Sequence, residues 1–103
     1  MKIVRVTYIT KPEYSEQNQT NIKNVMSDLK KLDHEGINYN CCLNADGKTF
    51  THTAFFESDE LQQILFDLPS FKTFQEQLKA SGPESPPTQE FPTLVGSSCD
   101  VFR

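Results

Sequence analysis

Hydrophobic positions along the chain first follow a strand-like pattern, then recur at three- and four-residue spacing, and the exchange happens twice. Lys2 to Thr10 (Lys-Ile-Val-Arg-Val-Thr-Tyr-Ile-Thr) is rich in β-branched residues with mixed alternation, which predicts a strand buried on at least one face. Lys11-Pro12 stops it. Ile22, Val25, Met26, Leu29 and Leu32 then fall on one helical stripe, predicting a helix from Ser15 or Thr20 to His34. Gly36 is expected to close that helix in the left-handed region, and Ile37 opens a second strand.

A two-residue turn at Asp46-Gly47 would set the register of the next two strands, with Ala45 facing Lys48. Leu43 then pairs with Phe50, Cys41 with His52, Tyr39 with Ala54 and Ile37 with Phe56, all on one nearly apolar face. The opposite face collects Asn38, Asn40, Cys42 and Asn44 from one strand and Thr49, Thr51, Thr53 and Phe55 from the other. It is polar but uncharged, so the apolar face is the one expected to receive helices.

Ser58 before Asp59-Glu60 places a cap and two carboxylates at a second helix start. Leu61, Ile64, Leu65 and Leu68 make one stripe, Pro69 interrupts, and Phe71, Phe74 and Leu78 make another before Gly82. A broken helix follows, whose kink stands off the sheet and leaves a gap able to hold a ligand. The proline-rich run Pro83 to Pro92 reads as an extended surface connection, and Leu94 to Phe102 as the last strand. Two halves, Lys2 to Leu43 and Thr49 to Phe102, give β-α-β-β-α-β: an α+β, ferredoxin-like, four-stranded antiparallel sheet with both helices on one face. The bare face needs a cover, which a second copy of the chain would supply.

Composition narrows the possibilities. The 103 residues have room for one domain, residues 1-103, and 36% hydrophobic content with eight Phe and three Tyr suffices for one core. A net charge of −4, with no basic run longer than Lys30-Lys31, lacks the footprint for a phosphate backbone, so nucleic acid is not expected as a partner. With no eighteen-residue apolar run and no basic-then-apolar start, a soluble cytoplasmic protein is expected, with no membrane partner. Cys41, Cys42 and Cys99 are an odd number without Cys-x-x-Cys spacing, which favours reduced thiols acting as small apolar fillers over a disulfide or metal site.

Thr51-His52-Thr53-Ala54-Phe55-Phe56-Glu57-Ser58, followed by Glu60-Leu61 and then Leu68-Pro69-Ser70-Phe71-Lys72-Thr73-Phe74, resembles the third strand and broken helix of the dimeric α/β-barrel superfamily. That superfamily includes the antibiotic biosynthesis monooxygenase domains and the stress-responsive α/β-barrel proteins. The resemblance implies a homodimer through the sheet face, forming a dimeric α/β barrel, and a ligand held between sheet and helices. Members that oxidise aromatic polyketides or open haem commonly carry an asparagine on the first strand and a tryptophan on a helix. Here the first asparagine is Asn18, beyond that strand, where Thr7 and Tyr8 stand instead, and tryptophan is absent.

Among side chains that could carry chemistry, His52 stands out as an imidazole in an apolar row, where burial lowers its pKa. It is the candidate catalytic residue, against a structural reading as a buried imidazole hydrogen-bonded to one neighbour, and His52, Tyr8, Tyr39, Cys41 and Phe50 are the candidates to surround a ligand. Tyr8 has a structural reading too, as a packing residue with a satisfied hydroxyl. Cys41 opposite His52 looks like a thiol and its base, but no orienting group or oxyanion hole accompanies the pair. His34 suits the dipole at a helix end. Neither a metal nor another cofactor is expected, and the scattered glycines form no phosphate loop. The expected function is small-molecule binding of the monooxygenase-like type, as a cofactor-independent oxygenase on an aromatic substrate. The alternative is a non-catalytic dimeric binding or stress-response module.

Overall fold

The computed structural model describes residues 1-103 as β1 (Lys2–Ile9), α1 (Ser15–Leu32), β2 (Ile37–Leu43), β3 (Thr49–Phe56), α2 (Gln62–Asp67), α3 (Pro69–Ser81) and β4 (Ser85–Glu90). Short 3-10 turns at Pro12–Tyr14 and Asp59–Leu61 lead into α1 and α2. All strand pairs are antiparallel, in the order β2-β3-β1-β4, so the architecture is α+β and ferredoxin-like with β1 and β3 central.

The β2-β3 register is the expected one: Leu43 faces Phe50, Cys41 faces His52, Tyr39 faces Ala54 and Ile37 faces Phe56. The turn differs. Asn44 and Thr49 are the last hydrogen-bonded pair, and a tight bend joins the Gly47 N–H to the Asn44 carbonyl at 3.0 Å, with Gly47 left-handed at φ 76°. The Asp46 carboxylate accepts the Lys48 and Thr49 N–H groups and the Thr49 hydroxyl, which holds its pKa below the usual carboxylate range. A longer loop with the same residue sum leaves the register unchanged.

Helix α1 packs on α3, and the core unites Val4, Tyr8, Phe50, Ala54 and Phe56 of the sheet with Ile22 and Val25 of α1 and Leu65, Phe71, Phe74 and Leu78 beyond the hairpin. Alternation along β3 is complete, with Phe50, His52, Ala54 and Phe56 buried and the residues between them half-buried. Helix α1 ends at Leu32, two residues before the expected His34, because Asp33 at φ 49°, not Gly36, adopts the left-handed closing conformation. His34 lies past that cap, where its Nδ1 accepts the Gly36 N–H at 3.0 Å. Ser58 is extended before the Asp59–Leu61 turn and makes no side-chain cap bond. The helix break is where Pro69 puts it: Leu68 is extended, at ψ 126°, between α2 and α3, and Pro69 opens α3 at its first turn.

The last strand is not where hydrophobicity placed it. β4 is Ser85–Glu90, inside the proline-rich run, while residues 94-102 form no strand. Prolines are admissible because β4 is an edge strand, pairing only with β1, and Pro86-Pro87 sit where the register slips between Thr7–Thr88 and Ile9–Ser85. A missing N–H costs nothing on a side without a partner. After Glu90 the chain returns across the sheet: Asn38 of β2 donates to the Val101 carbonyl at 2.9 Å, and Arg103 pairs with Asp33. Asn38 belongs to the face away from the helices, so the tail lies over that end of the bare face, where Ile3 is buried.

Candidate functional site

Sheet and broken helix stand apart to enclose a cavity of about 640 Å³, a size suited to one small organic molecule. Val4, Val6, Tyr8, His52, Ala54, Phe56 and Tyr39 form its floor, and Leu65, Phe66, Phe71, Phe74 and Leu78 form its roof. Pro83, Pro86 and Pro87 close one side, so the two prolines at the register slip also shape a wall. Gln62, Gln75, Gln89 and Lys79 are the polar groups on the lining away from the floor. Gln62 is held by the Lys2 amine, which donates to its Oε1 at 2.6 Å.

His52 is 4% exposed and bonded at both ring nitrogens: the Tyr8 hydroxyl lies 2.7 Å from Nε2 and the Tyr39 hydroxyl 2.7 Å from Nδ1. The hairpin register brings Tyr39 within reach from β2, and the β1-β3 pairing brings Tyr8 from β1. Phe74 of α3 tilts onto the imidazole from above at 5.3 Å between centroids. A neutral imidazole has one N–H and one lone pair, so one tyrosine donates to His52 and the other accepts from it. Behind this chain stands Asn18 of α1, fully buried, whose amide nitrogen donates to the Tyr8 hydroxyl at 2.8 Å.

Burial governs the electrostatics. It pushes His52 down from 6.5 to about 4, so the ring is neutral at neutral pH. Burial also raises both tyrosines, that of Tyr8 in spite of the stabilising Asn18 N–H, so both hydroxyls keep their protons. The Cys41 thiol is pushed up to about 12 by burial and by neighbouring Cys42. A thiol so reluctant to ionise, beside an imidazole already engaged at both nitrogens, has neither the charge nor the base that nucleophilic attack needs.

Of the candidates named from sequence, His52, Tyr8 and Tyr39 meet on the cavity floor. Phe50 and Cys41 do not line it. Phe50 is 1% exposed and stacks behind Tyr8 at 5.5 Å and 14°, supporting the ring from the far side. Cys41 is half-buried against the core, whereas Cys42 and Cys99 are exposed, so apolar filling describes Cys41 alone. Asn18 was missed. Its signal was the apolar stripe extended backwards, since Ser15, Asn18, Ile22 and Val25 share one buried helix face at three- and four-residue spacing.

Neither a protein-family model nor a curated protein matches the sequence. Solved structures share its fold, several of them described as antibiotic biosynthesis monooxygenases. One structure described as an antibiotic biosynthesis monooxygenase superposes with a TM-score of 0.74 at 14% identity, covering 93% of this chain and 100% of its own. A candidate antibiotic biosynthesis monooxygenase from Bacteriodes thetaiotaomicron gives 0.82 at 13% identity over 96% of this chain and 93% of its own. SnoaB, a cofactor-independent oxygenase from Streptomyces nogalater, gives 0.67 at 11% identity over 96% and 98%. The likeness seen in Thr51 to Phe74 therefore extends to nearly the whole fold. No helix is long and apolar enough to cross a membrane.

Proposed function

We propose that this chain binds one flat, mainly apolar molecule between sheet and broken helix, with a single oxygen of that molecule on the Tyr39 hydroxyl, and acts as a cofactor-independent oxygenase. The observation that carries the reading is the Tyr8–His52–Tyr39 hydrogen-bond chain on the floor of an otherwise apolar cavity. Such a chain stabilises the enolate of a bound aromatic ketone by hydrogen bonding to the oxygen on which charge develops. The enolate, formed when a ring CH2 gives one proton to water, is electron-rich enough to react with O2. A ring CH2 becomes C=O and the second oxygen atom leaves as water, so the substrate supplies every electron. The fold shared with SnoaB supports the same reading.

A non-catalytic binding module is favoured by one observation, the engagement of both imidazole nitrogens within the protein. A panel of planar aromatic ketones, quinones and phenols, read by thermal shift and oxygen uptake without added metal or flavin, separates the two. At about a hundredfold excess over Kd a true ligand stabilises the fold by about 2.7 kcal/mol, and Tyr39→Phe weakens its binding roughly tenfold. His52→Ala abolishes both the shift and oxygen uptake. Binding without uptake selects the module, and no saturable ligand overturns both.

The working unit in this proposal is one domain per chain, two chains meeting through the bare sheet face as a dimeric α/β barrel. Thr7 and Thr51 pair at the middle of that face, away from the Asn38 end that the tail crosses. Thr51→Arg is expected to leave circular dichroism unchanged and shift sedimentation equilibrium from dimer to monomer. An unmodified chain that sediments as a monomer overturns the dimer.

A further inference from the structure

We propose that Asn18 is a positioning residue that sets the direction of the Tyr8–His52–Tyr39 chain, so that Tyr39 offers the cavity an O–H donor and selects a ligand bearing a carbonyl oxygen. The inference rests on the proposed site and goes beyond it, because Asn18 does not line the cavity and can act only through Tyr8.

The direction follows from the buried end. The Asn18 amide nitrogen donates to the Tyr8 oxygen at 2.8 Å, while the Asn18 carbonyl oxygen is buried with no partner. Turning the amide over would strand a nitrogen with both its hydrogens in place of that oxygen, and buried N–H groups without acceptors are rarer than under-satisfied carbonyls. With its oxygen already accepting, Tyr8 has one acceptor for its own hydrogen, His52 Nε2 at 2.7 Å. The imidazole proton must then sit on Nδ1, where it is donated to the Tyr39 oxygen at 2.7 Å. No protein acceptor remains for the Tyr39 hydrogen, and Tyr39 lines the cavity. A ligand carbonyl completes the chain. A ligand hydroxyl obliged to donate meets another donor, which is the kind of mismatch that separates close analogues.

The imidazole tautomer is the direct readout, and nitrogen NMR of uniformly labelled protein without ligand measures it. The unmodified chain is expected to carry its proton on Nδ1, with Nδ1–H over Nε2–H by roughly tenfold, the worth of one hydrogen bond. In Asn18→Asp at alkaline pH the carboxylate can only accept. It takes the Tyr8 hydrogen, and the proton moves to Nε2 by a similar factor. Tyr8→Phe, which deletes the link, keeps the proton on Nδ1, since Nε2 then has no acceptor for an N–H, and adding Asn18→Asp to it no longer moves the tautomer. An unmodified chain protonated on Nε2, a tautomer that Asn18→Asp leaves unchanged, or an inversion by Asn18→Asp that persists without the Tyr8 hydroxyl overturns the proposal. A merely structural asparagine would change stability and leave the tautomer alone. Because no ligand is present, failure here is distinct from failure of the proposed function, which the ligand panel reports.

Discussion

Phe50→Ala is expected to destabilise the fold by about 3–5 kcal/mol, the cost of truncating a large aromatic in a packed core. The ring is 1% exposed, lies on the central strand β3 and stacks on Tyr8. The loss would fall on the site as well, because nothing else seats Tyr8 from that side at ring-stacking distance. Since a domain of this size has only about 5–15 kcal/mol in all, urea denaturation should show a large fall in midpoint. Phe50→Leu keeps most of the volume and is expected to cost about 1–2 kcal/mol, with ligand binding retained. That pair of results separates a supporting residue from a ligand contact: a contact would lose affinity in the leucine variant while stability barely moved.

The sheet's centre was legible because alternation and pairing register constrain each other. Once Asn44 and Thr49 are paired, every later pair down to Ile37–Phe56 follows by parity, so the meeting of Tyr39, Cys41 and His52 on one face needed no knowledge of the turn's detail. The helix break was equally legible, since Pro69 cannot accept an interior helical position and Leu68 before it is driven to extended geometry. The last strand was not. Residues 94-102 carry the hydrophobic pattern, but an edge strand is chosen by which segment can reach β1 after α3, and Gly82 turns the chain straight into Ser85–Glu90. Its prolines argued against any strand, although an edge pairing with one bulge tolerates them. Asn18 escaped for a related reason: a polar residue on a helix reads as a solvated one unless the stripe is followed back past Ile22.

Those two omissions meet at the cavity. β4 closes one wall with Pro86 and Pro87, and Asn18 anchors the hydrogen-bond chain on the floor. What was readable from pattern was the scaffold; what pattern hid were the polar and proline residues doing unusual jobs inside it, where burial of an amide and pairing of a proline edge each break a local rule that the surrounding packing outweighs.

Acid should weaken the protein well above the range in which carboxylates titrate. His52 binds its proton at about 4 when folded and at 6.5 when the chain is unfolded. Between these values the unfolded chain is protonated and the folded one is not, so stability is fully present above 6.5 and is lost progressively as pH falls towards 4. The shift corresponds to about 3 kcal/mol, and at 4% exposure little solvent screening reduces it. Neighbours do not share the window: Tyr8, Tyr39 and Cys41 are all raised and stay neutral throughout it. The lowered carboxylates Asp46 and Glu60 contribute their own losses only below their unfolded values of 3.8 and 4.5. Urea midpoints measured from neutral pH to pH 5 should therefore fall in the unmodified chain and stay nearly flat in His52→Gln, which keeps an amide between the two tyrosines but has nothing to titrate. A slope that survives in His52→Gln would assign the acid sensitivity elsewhere and remove the evidence that the imidazole is buried neutral.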